Sequence, residues 1–276
     1  MKKKFFVNYI IVIILLSIII CILLFFYIKI RNKETLENKR TIWAMSFGGG
    51  SQDYRDAVKR ISNEFAETGI FQEIIAYTDI DLKNDPEFWG EHKDFIEKNK
   101  RGYGYWLWKP YLIKKVLDKM NENDILLYLD SGCELKNDNN IDLIKLLEKC
   151  GDFDFIYTSS GQLEKAYTKM DTFSIMKMDS DEILNSVQYQ AGVLLIKKNE
   201  TTRRFIGDWY SMGCDYHLID DSESILPNDR AFIDNRHDQS IFSLLVKSDR
   251  YKNYMGTSNN LITDTYPIVI SRKRSG

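Results

Sequence analysis

Five apolar residues, Ile125, Leu126, Leu127, Tyr128 and Leu129, run without interruption into Asp130, Ser131 and Gly132. A short apolar run bounded by turn residues has the pattern of a strand covered on both faces, as in the middle of a parallel sheet. Such a strand commits the chain to layers, with helices packed on either side of a sheet. Open α/β sheets bind ligands just beyond the carboxyl ends of their strands. Asp130 stands at such an end. The competing reading is that it only opens a turn, since Asp, Ser and Gly all favour turns.

The flanking sequence alternates strand and helix patterns. Strands are expected over 41–47, 71–77, 153–158 and 188–196, and helices over 54–67, 86–99, 110–120, 141–150, 202–212 and 241–246. This order predicts an α/β domain with a mainly parallel sheet. Residues 160–186 are polar with little periodicity and predict a loop over the site. The acidic stretch 215–223 predicts a solvated loop.

With 44% hydrophobic and 13% aromatic residues among 276, the chain can fill one large core or two small ones. A net charge of −2 offers no basic excess for nucleic acid. Cys21 falls in an apolar segment. Cys133, Cys150 and Cys214 are far apart and form no Cys-x-x-Cys pair. Free, mostly buried thiols are expected, with one bridge left open.

Lys2, Lys3 and Lys4 precede an uncharged run over 5–28, long enough to span a bilayer. A signal peptide has a shorter apolar core and a small-residue cleavage site. Here Phe25, Phe26, Tyr27 and Ile28 are all bulky, which favours an uncleaved anchor. The lysines favour a cytoplasmic N-terminus, although Lys29, Arg31 and Lys33 nearly balance them. The expected organisation is a cytoplasmic tip and transmembrane helix over 1–29, a polar stem over 30–40, and a folded domain over 41–276 outside the cytosol.

Several stretches carry candidate chemistry. Phe47 leads into Gly48, Gly49 and Gly50 between a strand and a helix. Glycines there let backbone N–H groups approach a phosphate; a tight turn without a ligand fits equally. Asp79 follows the second strand, where an acid meets a ribose or base edge or caps a turn. The segment 101–110 packs Tyr103, Tyr105, Trp106 and Trp108 between glycines. Such rings stack on a base or sugar, or fill the core; Trp106 is the candidate for stacking. Arg101 and Lys109 add charge suited to phosphate, and Pro110 suits a first helical turn. His92 lies on an apolar helical stripe and is expected to be packed or capping.

The order of these parts resembles that of GT-A-type nucleotide-sugar glycosyltransferases, of the kind that act in polysaccharide or glycoprotein synthesis. The resemblance covers roughly 41–246 and rests on 102–110, 127–132, 190–192 and 237–239. It implies a Rossmann-like α/β fold, a nucleotide-diphosphate sugar donor and a glycan or glycoconjugate acceptor. It also implies Mn²⁺ or Mg²⁺ on an Asp-x-Asp motif, because the leaving diphosphate gathers negative charge. The chain departs from the motif: it has Asp130, Ser131 and Gly132. The resemblance leaves Glu134 and His237 to complete a metal set with Asp130; an extended run would put Glu134 on the same side as Asp130. Lys109, Arg272 and Arg274 are candidates to share the phosphate charge.

Within the same resemblance, Gln190, Gly192 and His237 face the sugar or acceptor, and Asp238 is the reacting carboxylate. The alternative for Asp238 is a cap on a helix starting near Ser240. Two other functions fit a strand-end Asp: a metal-dependent phosphotransferase or phosphatase, and a membrane-anchored sugar-binding module without catalysis.

Overall fold

The computed structural model describes Ile22, Leu24 and residues 40–136, 140–257 and 267–274. The expected anchor and stem therefore lie outside the described residues, apart from Ile22, Leu24 and Arg40. Among the described residues no helix is long and apolar enough to cross a membrane. The chain divides into two units, Met1–Arg40 and Thr41–Gly276. The second is described below.

Its strands are β1 (Ile42–Gly48), β2 (Glu73–Thr78), β3 (Ile125–Leu129), β4 (Cys133–Leu135), β5 (Phe155–Leu163), β6 (Val187–Lys197), β7 (Met255–Thr257) and β8 (Ile268–Ile270). Six of them form one sheet in the order β2-β1-β3-β6-β5-β7. β1 pairs parallel with β2 and β3, and β5 parallel with β7. β6 runs antiparallel to both neighbours, β3 and β5. Five strands thus point one way and β6 alone opposes them, a mixed, mostly parallel sheet. β4 and β8 make a separate antiparallel pair.

The six longer helices described are α1 (Gln52–Thr68), α2 (Pro86–Lys98), α3 (Trp108–Leu117), α4 (Asn140–Glu148), α5 (Glu200–Gly213) and α6 (Asp238–Lys247). They cover both faces of the sheet. Successive strand side chains point to opposite faces, and β3 shows the result. Leu126 and Tyr128 join a core with Phe88 of α2, Val116 of α3, Phe205 of α5 and Phe242 of α6. Ile125, Leu127 and Leu129 join the opposite core with Ile61 and Phe65 of α1 and Leu146 of α4. All five β3 residues are buried, which explains why the run lacks polar alternation. Truncating one, as in Leu127→Ala, costs about 2–5 kcal/mol by removing contacts and leaving a cavity.

Helix ends follow the local sequence. α1 buries Ala57, Val58, Ile61 and Phe65 along one stripe and stops at Gly69, whose φ of 66° a side chain would disfavour. α2 starts with Pro86 behind Asp85, whose carboxylate accepts from the N–H groups of Glu87 and Phe88 at 3.2 and 3.4 Å.

Two sequence expectations change. Residues 160–186 are not one loop: β5 continues to Leu163, and short helices form at Glu164–Tyr167, Met170–Met176 and Asp181–Leu184. Buried Glu164 anchors them, bonded to Thr168, Gln188, Ser243 and Lys247. Within 215–223 a short helix, Tyr216–Ile219, buries Leu218 and Ile219, and Asp220 pairs with buried Lys169 at 2.9 Å. Cys133 and Cys214 are free thiols, and Cys133 and Cys150 are buried. His92 is fully buried, its two ring nitrogens bonded to the hydroxyls of Tyr216 and Tyr210 at 2.7 Å each.

Candidate active site at the end of the central strand

Where β3 ends, the Asp130 N–H donates to Gly192 O at 2.8 Å, so the ladder with β6 carries one residue further. The Tyr128 hydroxyl, on the same face two residues earlier, donates to Asp130 Oδ1 at 2.6 Å. Lys109 reaches in from α3. Its Nζ lies 3.2 Å from Asp130 Oδ1 and 3.2 Å from Asp238 Oδ2, and donates to Ala191 O at 3.2 Å. Three segments distant in sequence, 109, 130 and 238, meet at one ammonium.

Asp238 is the first residue of α6, and His237 takes the N-cap position without a side-chain cap bond. The helix therefore begins two residues before Ser240, and the Asp238 side chain turns to Lys109. The Trp209 indole N–H donates to Asp238 O at 2.9 Å and fixes the start of the helix.

The electrostatics follow from two carboxylates sharing one cation in a dry place. Burial raises the Asp238 carboxyl to about 7; Lys109 opposes that shift and the Asp130 charge adds to it. Burial alone would lower Lys109, but Asp130 and Asp238 together outweigh it and hold the ammonium above its ordinary value. The ammonium lies at ion-pair distance from Asp238 Oδ2 without aligning a hydrogen bond on it. Lys109 is 3% exposed and Asp130 39%, so Asp130 presents this centre to solvent.

Gly192 makes room for that presentation. A Cβ there would stand 2.8 Å from Asp130 Oδ2. Gln190, on the same strand, donates from Nε2 to Ser159 O at 3.1 Å.

The aromatic segment is a left-handed turn. Gly102, Tyr103, Gly104, Tyr105 and Trp106 have φ values of 57°, 53°, 84°, 51° and 61°. Each of the three non-glycine residues costs about 1–2 kcal/mol in that region. A side chain at Gly102 would strike the Trp106 ring at 2.2 Å. Ring packing offsets the cost. Tyr105 and Trp106 lie nearly parallel to the His237 imidazole, at centroid distances of 4.9 and 5.3 Å. Trp108 packs on Phe47 at 3.9 Å. Trp106 thus contacts His237, while Trp108 and Phe47 belong to the core.

His237 itself has φ 58° and ψ −124°. Its Nδ1 bonds Ile219 O at 2.7 Å, which places the proton on Nδ1 because a carbonyl only accepts. Nε2 is buried without a hydrogen-bond partner, 3.8 Å from Asp221 Oδ1. Burial lowers the imidazole to about 4, so it is neutral near pH 7.

The other predicted site residues are distributed around this centre. Arg101 pairs with Asp221 at 3.0 Å and Asp234 at 2.7 Å. Asp79 is buried between Arg55 at 2.7 Å and Lys83 at 3.1 Å; together they hold its carboxyl below the usual range against its own burial. Cβ atoms at Gly48 and Gly49 would meet Tyr54 O at 1.9 Å and Asp79 Cβ at 2.8 Å, so the glycine turn is closely packed on α1 and Asp79. Ser131 is buried, and its carbonyl accepts from Arg60 at 2.8 Å. A cleft of about 440 Å³ borders Arg101, Lys169, Asp221 and Asp234 and does not include Asp130.

Asp130, Glu134 and His237 are not assembled as a metal set. The chain turns after Asp130, with the Cys133 N–H bonded to Asp130 O at 2.9 Å. That turn ends the extended parity which would have aligned Glu134 with Asp130. Glu134 sits on β4 instead, its carboxylate 3.1 Å from Lys273 Nζ and lowered by Ser271 and Lys273. Among the described residues, one group brings three ligand atoms within 4.8 Å of one another: Glu91, His92 and Cys214, a set of a size to hold a metal ion. It lies on α2 and at the end of α5, and the tyrosine hydroxyls already engage both His92 nitrogens. Around Asp130 the described carboxylates and imidazoles do not bring three ligand atoms together.

Tyr128, Ala191 O and Asp221 were not singled out from sequence. Period-2 spacing puts Tyr128 beside Asp130. No local signal marks Asp221, which acts through distant partners.

No protein-family model matches the sequence, and no curated protein matches it. Solved structures do. One is a glycosyltransferase involved in the glycosylation of the major capsid of PBCV-1, at 11% identity and TM-score 0.45, over 83% of this chain and 91% of that one. Another is mouse xyloside xylosyltransferase 1 in its apo form, at 11% and 0.42, over 79% and 85%. A third is core-mannan synthase A from Aspergillus fumigatus in a Mn/GDP form, at 8% and 0.39, over 80% and 73%. These neighbours are glycosyltransferases. Likeness at such scores carries no weight for the site, whose chemistry rests on its own geometry.

Proposed function

We propose that the protein is a glycosyltransferase that moves a sugar from a nucleotide-diphosphate donor to a hydroxyl of a glycan or glycoconjugate. One observation carries the reading. At the carboxyl end of the central strand, a buried carboxylate poised near neutrality, Asp238, shares the Lys109 ammonium with the partly exposed Asp130. A general base works best with a pKa near the working pH.

In this reading the acceptor hydroxyl attacks the anomeric carbon and passes its proton to Asp238. The bond from that carbon to the diphosphate oxygen breaks, and the diphosphate leaves with the electron pair. Lys109 positions both carboxylates. Asp130 Oδ2, beside Gly192, accepts from donor hydroxyls. His237, Tyr105 and Trp106 form an aromatic wall beside the base. Mn²⁺ or Mg²⁺, implied by the family resemblance, would neutralise the leaving diphosphate, although Asp130, Glu134 and His237 are not gathered into a set of three ligands. The reading includes a membrane anchor over 1–29 with the catalytic unit outside the cytosol, supported by the apolar run over 5–28.

The test is a panel of nucleotide sugars scored for binding and donor hydrolysis, with and without Mn²⁺, on the wild type, Asp130→Ala and Asp238→Asn. One donor should bind and be hydrolysed, with turnover lost in both variants and their folds intact. Binding of phosphoesters without nucleotide preference would point to a phosphatase instead. Glycan binding with no nucleotide response would point to a sugar-binding module.

A further inference from the structure

Gly132 stands where the family motif has its second carboxylate, and the structure shows what occupies that space. A Cβ at Gly132 would meet Arg272 Cα at 3.2 Å. The C-terminal residues 271–274 cross the motif there as a strap. Gly132 O accepts from the Lys273 N–H at 3.0 Å and from Ser271 Oγ at 3.2 Å. One guanidinium, Arg60, donates to Ser131 O at 2.8 Å, Cys133 O at 2.9 Å and Lys273 O at 3.4 Å. β8 leads into the strap and is held by pairing with β4. The strap is therefore laced to the residues just after Asp130.

The strap brings positive charge that its surroundings leave partly uncompensated. Lys273 is matched by Glu134, and Arg60 by Glu64. Arg272 is exposed and has no carboxylate partner among the described residues. It holds φ 55°, a strained value for a residue other than glycine. The Arg274 guanidinium lies 5.2 Å from the Tyr54 ring centroid. Tyr54 is in the first turn of α1, against the Gly48–Gly50 turn. On the other side of that turn, Asp79 is engaged by two cations, Arg55 and Lys83.

We infer that the C-terminal strap is the diphosphate-binding element of this chain. Arg272, assisted by Arg274, supplies the cationic charge where a second carboxylate would otherwise hold a divalent cation, and nucleoside diphosphates bind without metal. The inference rests on the donor class proposed above. Guanidinium matches phosphate oxygens in a bidentate way that an ammonium does not. Gly132 is small because the strap backbone needs its place, so the missing carboxylate and the added cations are one feature.

The test is calorimetric titration of the full chain with ADP, CDP, GDP, UDP and inorganic pyrophosphate, first in chelator and then in Mn²⁺. At least one nucleoside diphosphate should bind in chelator, with little change on adding Mn²⁺. Arg272→Gly should weaken it by about tenfold, the loss of one charge-assisted hydrogen bond. Glycine suits φ 55°, so this variant removes the cation while leaving the strap free to keep its course. Arg250→Ala, which removes an equal charge paired with Asp208 elsewhere, should change nothing. Binding that vanishes in chelator, returns with Mn²⁺ and ignores Arg272→Gly would overturn the strap while sparing the transferase reading. Absence of nucleoside diphosphate binding under both conditions would overturn the two together.

Discussion

Asp238 is held close to neutrality by burial and by Asp130, with Lys109 pulling the other way. A base must be deprotonated to act, so kcat/KM should rise with pH through about 7 and level off above it. Asp238→Asn should lower turnover by about 100-fold or more and flatten that limb. Stability should respond in the opposite sense. The folded-state value lies above the ordinary carboxyl value, so the folded form keeps the proton longer as pH rises. The associated stability is present at low pH and lost as pH rises through about 7. A melting series of wild type and Asp238→Asn from pH 5 to 8 tests this, and a variant less stable at pH 8 would contradict it. Gly192→Ala makes a separate demand. Its methyl group would press on Asp130 Oδ2 from 2.8 Å, so donor turnover should fall sharply while thermal unfolding moves little; unchanged turnover would show that Asp130 need not face Gly192. Lys109, Asp130 and Asp238 were legible as single residues because each ends or starts a recognisable element. Their convergence was not, since Lys109 travels along a helix and Asp238 along another chain segment. Glu134 was misplaced for a local reason: the parity of an extended strand does not survive the turn at Cys133.

The boundaries of β1, β3, β6, α1 and α5 lie close to those their apolar periodicity predicts, because each packs one face or both against a core. What periodicity could not supply is the structure of 160–186 and 215–223, where order comes from buried polar groups. Glu164 ties Thr168, Gln188 and Ser243 together, and Lys169 ties Asp220 and His217 O. Such partners are scattered through the chain and leave no periodic trace. Polar anchoring also decides how α2 begins. The Asp85 carboxylate caps the helix and accepts from the Tyr111 hydroxyl at 2.8 Å and from Lys115. Lys115 and Tyr111 hold it below the usual range against its own burial. Asp85→Ala should therefore destabilise the fold by about 2–3 kcal/mol, from a lost cap and a stranded hydroxyl. Because the value is depressed, this contribution is present above the ordinary carboxyl value and lost as pH falls below it. Urea unfolding at pH 7 and pH 3 checks both statements: the gap between wild type and variant should narrow at pH 3.

Across the unit Thr41–Gly276, a sheet sandwiched between helices was readable from alternation alone, and its mostly parallel character followed. The reversal of β6 was not readable, since a buried strand looks the same in either direction. The reversal has a mechanical effect. The last residue of β3, Leu129, pairs with Val193 of β6, and Asp130 adds one further bond to Gly192 O. β5 and β6 continue together beyond it, through Thr158 with Gln190, Ser159 with Tyr189, and Leu163 with Val187. This two-stranded ribbon overhangs the end of the central strand, and the Tyr189 N–H fastens it to Ser243 of α6 at 2.8 Å. Asp130 is set by the sheet beneath, whereas the overhang leads into the short helices of 164–186. Replacing residues 177–186 with a glycine–serine linker of equal length should leave nucleoside diphosphate affinity within about twofold of the wild type, since closing that loop costs little more. Transfer to acceptor should change in the same protein. Equal loss of both would show that the overhang and the strand end are one unit. If they separate, the architecture lets one half of the site be retuned to a new partner while the other half keeps its chemistry, much as a tool handle accepts different heads.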